Sequence, residues 1–282
     1  MQDFIIKIDG LSEQMRLSVF LKNKLNFSSS LITRVKFHGI FVNGEKATAR
    51  TALKNGDTLK VVFPEEKSEN IEAIPGDVDV LYEDEYIIAV NKPRNMPTHP
   101  SRGNSLPTLA NALMAYFNGN FVFRSINRLD RDTSGIVLIA KDQFCAARLS
   151  ANMKSGDFEK KYLALVSGVP EENEGLIDAP IERVCEGNIK RTVRPDGKRA
   201  VTKYAVKEIL PDGNSICEIT LLTGRTHQIR VHFSYIGHPL VNDFLYGTSD
   251  GESYSLHCSY LAFTHPISKK RIEITSLPDF VN

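Results

Sequence analysis

The sequence predicts an α+β fold whose main sheet is largely antiparallel, mixed in places and flanked by helices. Three observations carry this expectation. Apolar runs of strand length outnumber helical stretches, helices and strands do not alternate in strict βαβ order, and tight-turn pairs such as Asn43-Gly44 separate neighbouring runs. The 282 residues suit one large domain or two. Hydrophobic residues make up 41% and charged residues 24%, values of an ordinary globular chain that exclude the disordered class. No apolar run approaches the ~20 residues that span a bilayer, and Met1-Gln2-Asp3-Phe4 does not open a secretory signal, so a cytoplasmic location is expected. Cys145, Cys185, Cys217 and Cys258 are far apart and form no CxxC pair, which argues for reduced thiols and against a zinc ribbon.

Residues 1–63 read as a small module of their own. Phe4, Ile6 and Ile8 alternate as in a strand, and Leu17, Phe20, Leu21 and Leu25 recur at helical spacing. Ser28 is placed to cap a second helix with the stripe Leu31, Ile32, Val35, and Gly39 to end it. Asn43-Gly44 turns the chain out of Ile40-Phe41-Val42, and Asn55-Gly56-Asp57 turns it into Leu59–Phe63. Residues 64–77 are acidic with Pro and Gly and read as a linker that lets the module move.

Residues 78–282 read as the main domain. Strands are expected at Val78–Tyr82 and Tyr86–Val90, then a helix carrying Leu109, Leu113 and Phe117 with Pro107 at its first position. The buried run Ile136–Ala140 follows, then a helix from about Asp142 to Met153. Further strands are expected at Tyr162–Val166, Ala200–Ile209, Ile216–Leu222, Leu256–Phe263 and Arg271–Thr275, and a helix at His227–Ile236 stopped by Gly237.

Net charge is only +1, but it is unevenly spread. From Arg183 to Lys207 eight basic residues, Lys198 and Arg199 among them, face two acidic ones, a local +6 suited to a phosphate backbone. Two polar segments carry the chemistry. In Asn127-Arg128-Leu129-Asp130-Arg131-Asp132-Thr133-Ser134-Gly135 a carboxylate stands between arginines in a turn just ahead of a buried strand, where a fold holds a reactive group rigidly at a rim. In Leu222-Thr223-Gly224-Arg225-Thr226-His227-Gln228-Ile229-Arg230-Val231-His232, cationic and polar groups gather ahead of a helix. Taken alone, Asp130 is as readily a turn or cap residue, Tyr162 a packing residue, and His227 a positioning residue.

Together these segments resemble the RluA-type pseudouridine synthases. Arg128 to Gly135 fits that family's Arg-Leu-Asp-x-x-Thr-Ser-Gly pattern, including Thr133, and Lys160–Gly168 fits its Lys-x-Tyr-x-Ala-x-Val-x-Gly strand. Asn91-Lys92-Pro93, Thr98-His99-Pro100, Gly237–Asp243, Tyr246-Gly247, Leu256-His257 and Phe263–Pro266 follow in the family's order. The resemblance implies a pseudouridine synthase catalytic domain that isomerises uridine in folded RNA. It implies Asp130 as nucleophile, Arg225 as its ion-pair partner, and Tyr162 as a stacking wall and a candidate base for the late proton. It places Arg128, Thr133, Asn91, Lys92, His99, Arg230 and Leu256 with the substrate, and the basic stripe adds Lys198 and Arg199. Asp132 lies at a variable position and is expected at the surface or as a cap. Asn127 stands where the family more often has His, and it cannot titrate. No atom is gained or lost in the isomerisation, so no cofactor and no metal are expected.

Residues 1–63 are similar to the small RNA-binding domain named after ribosomal protein S-four, with Arg16, Lys22, Lys24, Arg34 and Lys36 as phosphate contacts. The chain has Ser28-Ser29-Ser30 where that domain usually has Ser-Arg. The expected partner is RNA, ribosomal rather than transfer RNA, met by a monomer. Two rivals remain open. A non-catalytic RNA-binding or ribosome-assembly factor on the same fold would bind without turnover. A hydrolase using Asp130 and Asp132 would release uracil, whereas the isomerase leaves RNA of unchanged mass.

Overall fold

The structure, a computed structural model, describes residues 3–63, 71–100, 107–247 and 254–281. The N-terminal part comprises β1 (Asp3–Lys7), β2 (Met15–Arg16), α1 (Leu17–Asn23), α2 (Ser29–His38), β3 (Ile40–Val42), β4 (Glu45–Lys46), β5 (Ala52–Leu53) and β6 (Thr58–Val62). Four strands form an antiparallel sheet in the order β1-β6-β3-β4. The expected caps are made. Ser28 accepts from Leu31 N, and Gly39 N donates to Val35 O at the far end of α2. Asn43 and Gly44 both take positive φ, which the hairpin between β3 and β4 requires. Leu17, Leu21, Leu25, Leu31, Val35, Leu53, Leu59 and Val61 pack between helices and sheet.

The larger part comprises β7 (Asp79–Glu83), β8 (Ile87–Lys92), α3 (Leu109–Tyr116), β9 (Ser134–Ala140), α4 (Gln143–Ser155), β10 (Phe158–Val166), β11 (Glu174–Asp178), β12 (Ile181–Arg183), β13 (Arg191–Val193), β14 (Val201–Ile209), β15 (Ser215–Leu221), α5 (Gln228–Tyr235), β16 (Leu256–Thr264) and β17 (Arg271–Thr275). The main sheet runs β11-β14-β15-β10-β16-β9-β8-β7, with β17 also on β16. Every pairing in it is antiparallel except β16 with β9. The fold is therefore the mixed, mainly antiparallel α+β arrangement that the sequence predicts. All seven residues of β9 are buried, because the strand is covered on both faces; hence its unbroken apolar run instead of alternation.

Local boundaries differ where packing overrides pattern. Thr108, not a helical residue, caps α3 through a reciprocal pair with Asn111, so Pro107 precedes the cap instead of opening the helix. β10 begins four residues earlier than the pattern suggests, because Phe158 pairs with Phe263 of β16 and stacks on it at 5.8 Å. The basic stretch contains an unforeseen hairpin, β12 with β13.

The first half of the expected linker, residues 64–70, lies outside the described residues. The second half is tied to α3: Ile74 N donates to Asn111 O, and Asn111 Nδ2 to Glu72 O. The small sheet also touches the rest of the chain. Phe4 stacks on Phe144 of α4 with ring centroids 3.8 Å apart, and Phe27 meets the same ring edge-on. The mobility expected of the N-terminal module is thus opposed by an aromatic contact.

Candidate active site

The turn bearing Asp130 is held from three sides. Behind it, Asn127 is buried and bridges β9: its Nδ2 donates to Ile136 O at 2.9 Å and its Oδ1 accepts from Leu138 N at 2.8 Å. The amide thus has a structural use, which explains why a non-titrating residue serves at this position. On one flank Thr98 exchanges two hydrogen bonds with the Leu129 backbone. On the other, Arg131 O accepts from Met96 N and from Lys92 Nζ. Within the turn, Thr133 N donates to Asp130 O.

Lys92 is fully buried, and its ammonium donates to the carbonyls of Pro93, Met96 and Arg131 at 2.7–3.0 Å. Burial draws its pKa down to about 7, against the pull of Asp132 and Asp130. Three acceptors around one nitrogen favour the three-proton ammonium form. Lys92 therefore braces the loop and does not reach into a cleft.

Gly135 explains the end of the motif. Its φ is +108°, and a Cβ there would stand 2.5 Å from Cys258 N and against the Cys258 carbonyl. Only glycine lets β9 run beside β16, where Ser134 and Gly135 pair with His257 and Cys258. Ser134 Oγ and His257 Nδ1 are 2.8 Å apart, with Ser276 on the other ring nitrogen.

Asp130 itself is half-exposed, and its Oδ2 lies 3.8 Å from His227 Nε2. Its charge is felt by Lys92, Tyr162, His227, Arg230 and Tyr254, which marks the place where these segments converge. Tyr162 lies on β10 opposite Cys258 and is almost wholly buried. Burial first, then Cys258 and Asp130, pushes its phenol well above the ordinary range. Leu256, at the start of β16, is buried close by in sequence to the Gly135 contact.

The arginines divide differently from the sequence expectation. Among the described residues no ion pair joins Arg225 to Asp130; Arg225 is exposed, and its Nε donates to Arg199 O at 2.9 Å. Its backbone N–H is held by Gln228 Oε1, so the turn is fixed while the guanidinium faces outward. Arg230 is not open to a ligand: it is 3% exposed and makes a bidentate pair with Asp243, both bonds 2.7 Å. It lies over the ring of Tyr254 at 4.0 Å and of Tyr246 at 4.9 Å. Asp132 is buried and paired with Arg131, so it is neither a surface residue nor a helix cap, and it is not a second free carboxylate beside Asp130. Thr133 is buried against the Tyr254 hydroxyl. Asn91 Nδ2 donates to Asp79, and His99 is exposed beside Phe123.

Arg128, Lys198, Arg199 and Arg225 are exposed cations. The last three gather where Arg225 reaches the Arg199 carbonyl. Sequence reasoning passed over Thr98 as a fastening group and over Tyr246, Asp243 and Tyr254. Tyr246 and Asp243 lay in segments that fitted the family pattern, but their partners are set by tertiary contacts.

A family model described as RNA pseudouridylate synthase matches residues 86–235. The uncharacterised RNA pseudouridine synthase YjbO of Bacillus subtilis is 42% identical over 257 residues, covering 88% of this chain and 90% of that protein. Ribosomal large subunit pseudouridine synthase D of Zymomonas mobilis is 34% identical over 276 residues, covering 87% and 86%. Among solved structures, human RNA pseudouridylate synthase domain containing 1 superposes with a TM-score of 0.62 at 29% identity, covering 74% of this chain and 87% of that one. Motif order, sheet topology and these likenesses agree, and the chain belongs to the RNA pseudouridylate synthases of the RluA type.

Proposed function

We propose that this chain converts uridines of ribosomal RNA to pseudouridine, with Asp130 as the nucleophile. The carrying observation is the carboxylate itself: half-exposed, on a turn fastened by Thr98 and Lys92, with the exposed Arg128 two positions away. The names of the ribosomal large subunit relatives support ribosomal RNA as the substrate.

In this reading the target uridine leaves its stack at a cost of about a few kcal/mol, so loops and bulges are favoured sites. Asp130 supports cleavage of the bond between ribose and uracil N1. The base turns, its C5 rejoins the sugar, C5 loses its proton and N1 gains one, so the RNA mass is unchanged. Tyr162 meets the base as a neutral ring, which suits stacking and disfavours a phenolate base. Arg225, outward in the free protein, turns toward Asp130 or a substrate phosphate once RNA is bound. Arg128, Lys198 and Arg199 contact the phosphate backbone without reading sequence. Residues 1–63 act as a separate RNA-binding module, and residues 78–282 as the catalytic domain.

The test is tritium release from ribosomal RNA labelled at uracil C5, with Asp130→Asn beside the wild type. The reading expects release by the wild type and none by the variant, with RNA affinity largely kept. Substantial release by the variant sinks the nucleophile assignment. Binding by the wild type without release would favour the non-catalytic RNA-binding factor.

A further inference from the structure

His227 is one of the residues with positive φ (57°, ψ 21°), an αL conformation that costs a residue with a Cβ. It precedes α5 but makes no side-chain cap. The turn before it is locked by Gln228, whose Oε1 accepts from Thr223 Oγ1 and Arg225 N and whose Nε2 donates to Val201 O and Thr202 Oγ1. The unusual backbone sends the imidazole sideways, between two groups. Nδ1 is 2.8 Å from Tyr246 Oη, and Nε2 faces Asp130 Oδ2 at 3.8 Å.

The direction of the hydrogen bond between Tyr246 and His227 Nδ1 sets the tautomer of the ring. The Tyr246 hydroxyl oxygen already accepts the Arg191 N–H at 2.9 Å, which favours giving its own proton to His227 Nδ1. A neutral ring whose Nδ1 accepts carries its hydrogen on Nε2, the atom facing the carboxylate. The groups around the ring are Asp130 from the turn before β9, Tyr246 and Asp243 from the segment after α5, Arg191 from β13 and Arg230 from α5. Burial first, with Arg230 and Arg191, lowers the imidazole pKa against Asp130 and Asp243, which favours the neutral ring.

We propose that His227 is a positioning residue for Asp130, held by Tyr246 in the tautomer that offers Nε2–H to one carboxylate oxygen while the other faces the substrate. A separation of 3.8 Å in the free protein is one that tightens when a substrate closes the site. This rests on the reading of Asp130 as nucleophile. It also links the β12–β13 hairpin to the reacting group, through the Arg191 backbone and the Tyr246 hydroxyl.

The experiment compares His227→Gln, His227→Asn and Tyr246→Phe in the full chain, using tritium release from C5-labelled ribosomal RNA. Glutamine carries an N–H about as far out as Nε2; asparagine does not, but tolerates the αL backbone better. The proposal expects Gln to keep kcat within about 10-fold and Asn to lose about 100-fold, with KM for RNA little changed in both. A purely structural role reverses the order, so Asn equal to or better than Gln overturns the proposal. Nitrogen-15 spectra of histidine-labelled protein give an independent readout. The wild type is expected to show His227 protonated on Nε2, and Tyr246→Phe a mixture of tautomers with reduced kcat. A wild-type proton on Nδ1 overturns the proposal as well. Asp130→Asn in the same assay separates the two ideas: activity there defeats the nucleophile reading, whereas its loss together with Asn at least as active as Gln defeats only the role of His227.

Discussion

Lys92 Nζ lies 3.0 Å from the carbonyl oxygen of Arg131, the residue next to Asp130. A buried charge thereby ties the Asn91-Lys92-Pro93 loop to the reactive turn across 39 positions of sequence. Lys92→Met removes the charge, keeps most of the stem and takes the donor from the Pro93 and Met96 carbonyls, while Arg131 O keeps the Met96 N–H. Each unsatisfied group costs about 1–3 kcal/mol. Denaturant unfolding is expected to show a loss of roughly 2 kcal/mol or more, and tritium release to fall further than stability does, because the Asp130 turn loses its brace. Stability within 1 kcal/mol of wild type would contradict the bracing role.

Arg225 and Arg230 are five positions apart and are expected to behave oppositely. Arg225→Ala removes an exposed group, so unfolding free energy changes by no more than about 0.5 kcal/mol while turnover drops at least 10-fold. Arg230→Ala leaves the Asp243 carboxylate buried and unpaired, at about 3–5 kcal/mol. Urea titrations of the two variants beside tritium release check the contrast.

Gly135→Ala is expected to be among the most damaging single-methyl changes in the chain. The added carbon meets the Cys258 backbone and requires φ near +108°. The β9–β16 pairing must then open, at about 3 kcal/mol or more, read as a fall in melting temperature with loss of activity.

Acid is expected to weaken the fold in a defined window. Burial holds the His257 pKa at about 4, against 6.5 for an ordinary histidine. Between those values the unfolded chain binds a proton that the folded chain refuses, so stability is full above about 6.5 and falls as pH drops toward 4. The shift corresponds to about 3 kcal/mol. His232, also lowered by burial, acts in the same direction. Unfolding free energies measured from pH 7 to pH 4 are expected to decline, less steeply in His257→Gln.

Much of this architecture is legible in the sequence because period and punctuation act locally. Ser28, Asp142, Gly39 and Gly156 cap or end helices as their types dictate. The β12–β13 hairpin was illegible because Arg191-Thr192-Val193 carries no apolar alternation; it folds back where Ile181 finds Val193. At the site, order along the chain brought Asp130, Tyr162 and His227 together, yet side-chain partners were not readable. Arg225 faces Arg199 O and Arg230 faces Asp243, choices fixed by contacts across 26 and 13 positions. Asn127 likewise gains its use only once Ile136 and Leu138 stand beside it.

β16 occupies the middle of the main sheet, with β10 on one side and β9 and β17 sharing the other. Yet it is made more than a hundred residues after β9. During synthesis β8 and β9 can pair early, but the slot beside β9 stays open until Leu256–Thr264 leaves the ribosome. The wall between Tyr162 and the reactive turn is consequently a late event, and a nascent chain that ends before Leu256 carries both polar motifs but lacks the strand that joins β9 to β10.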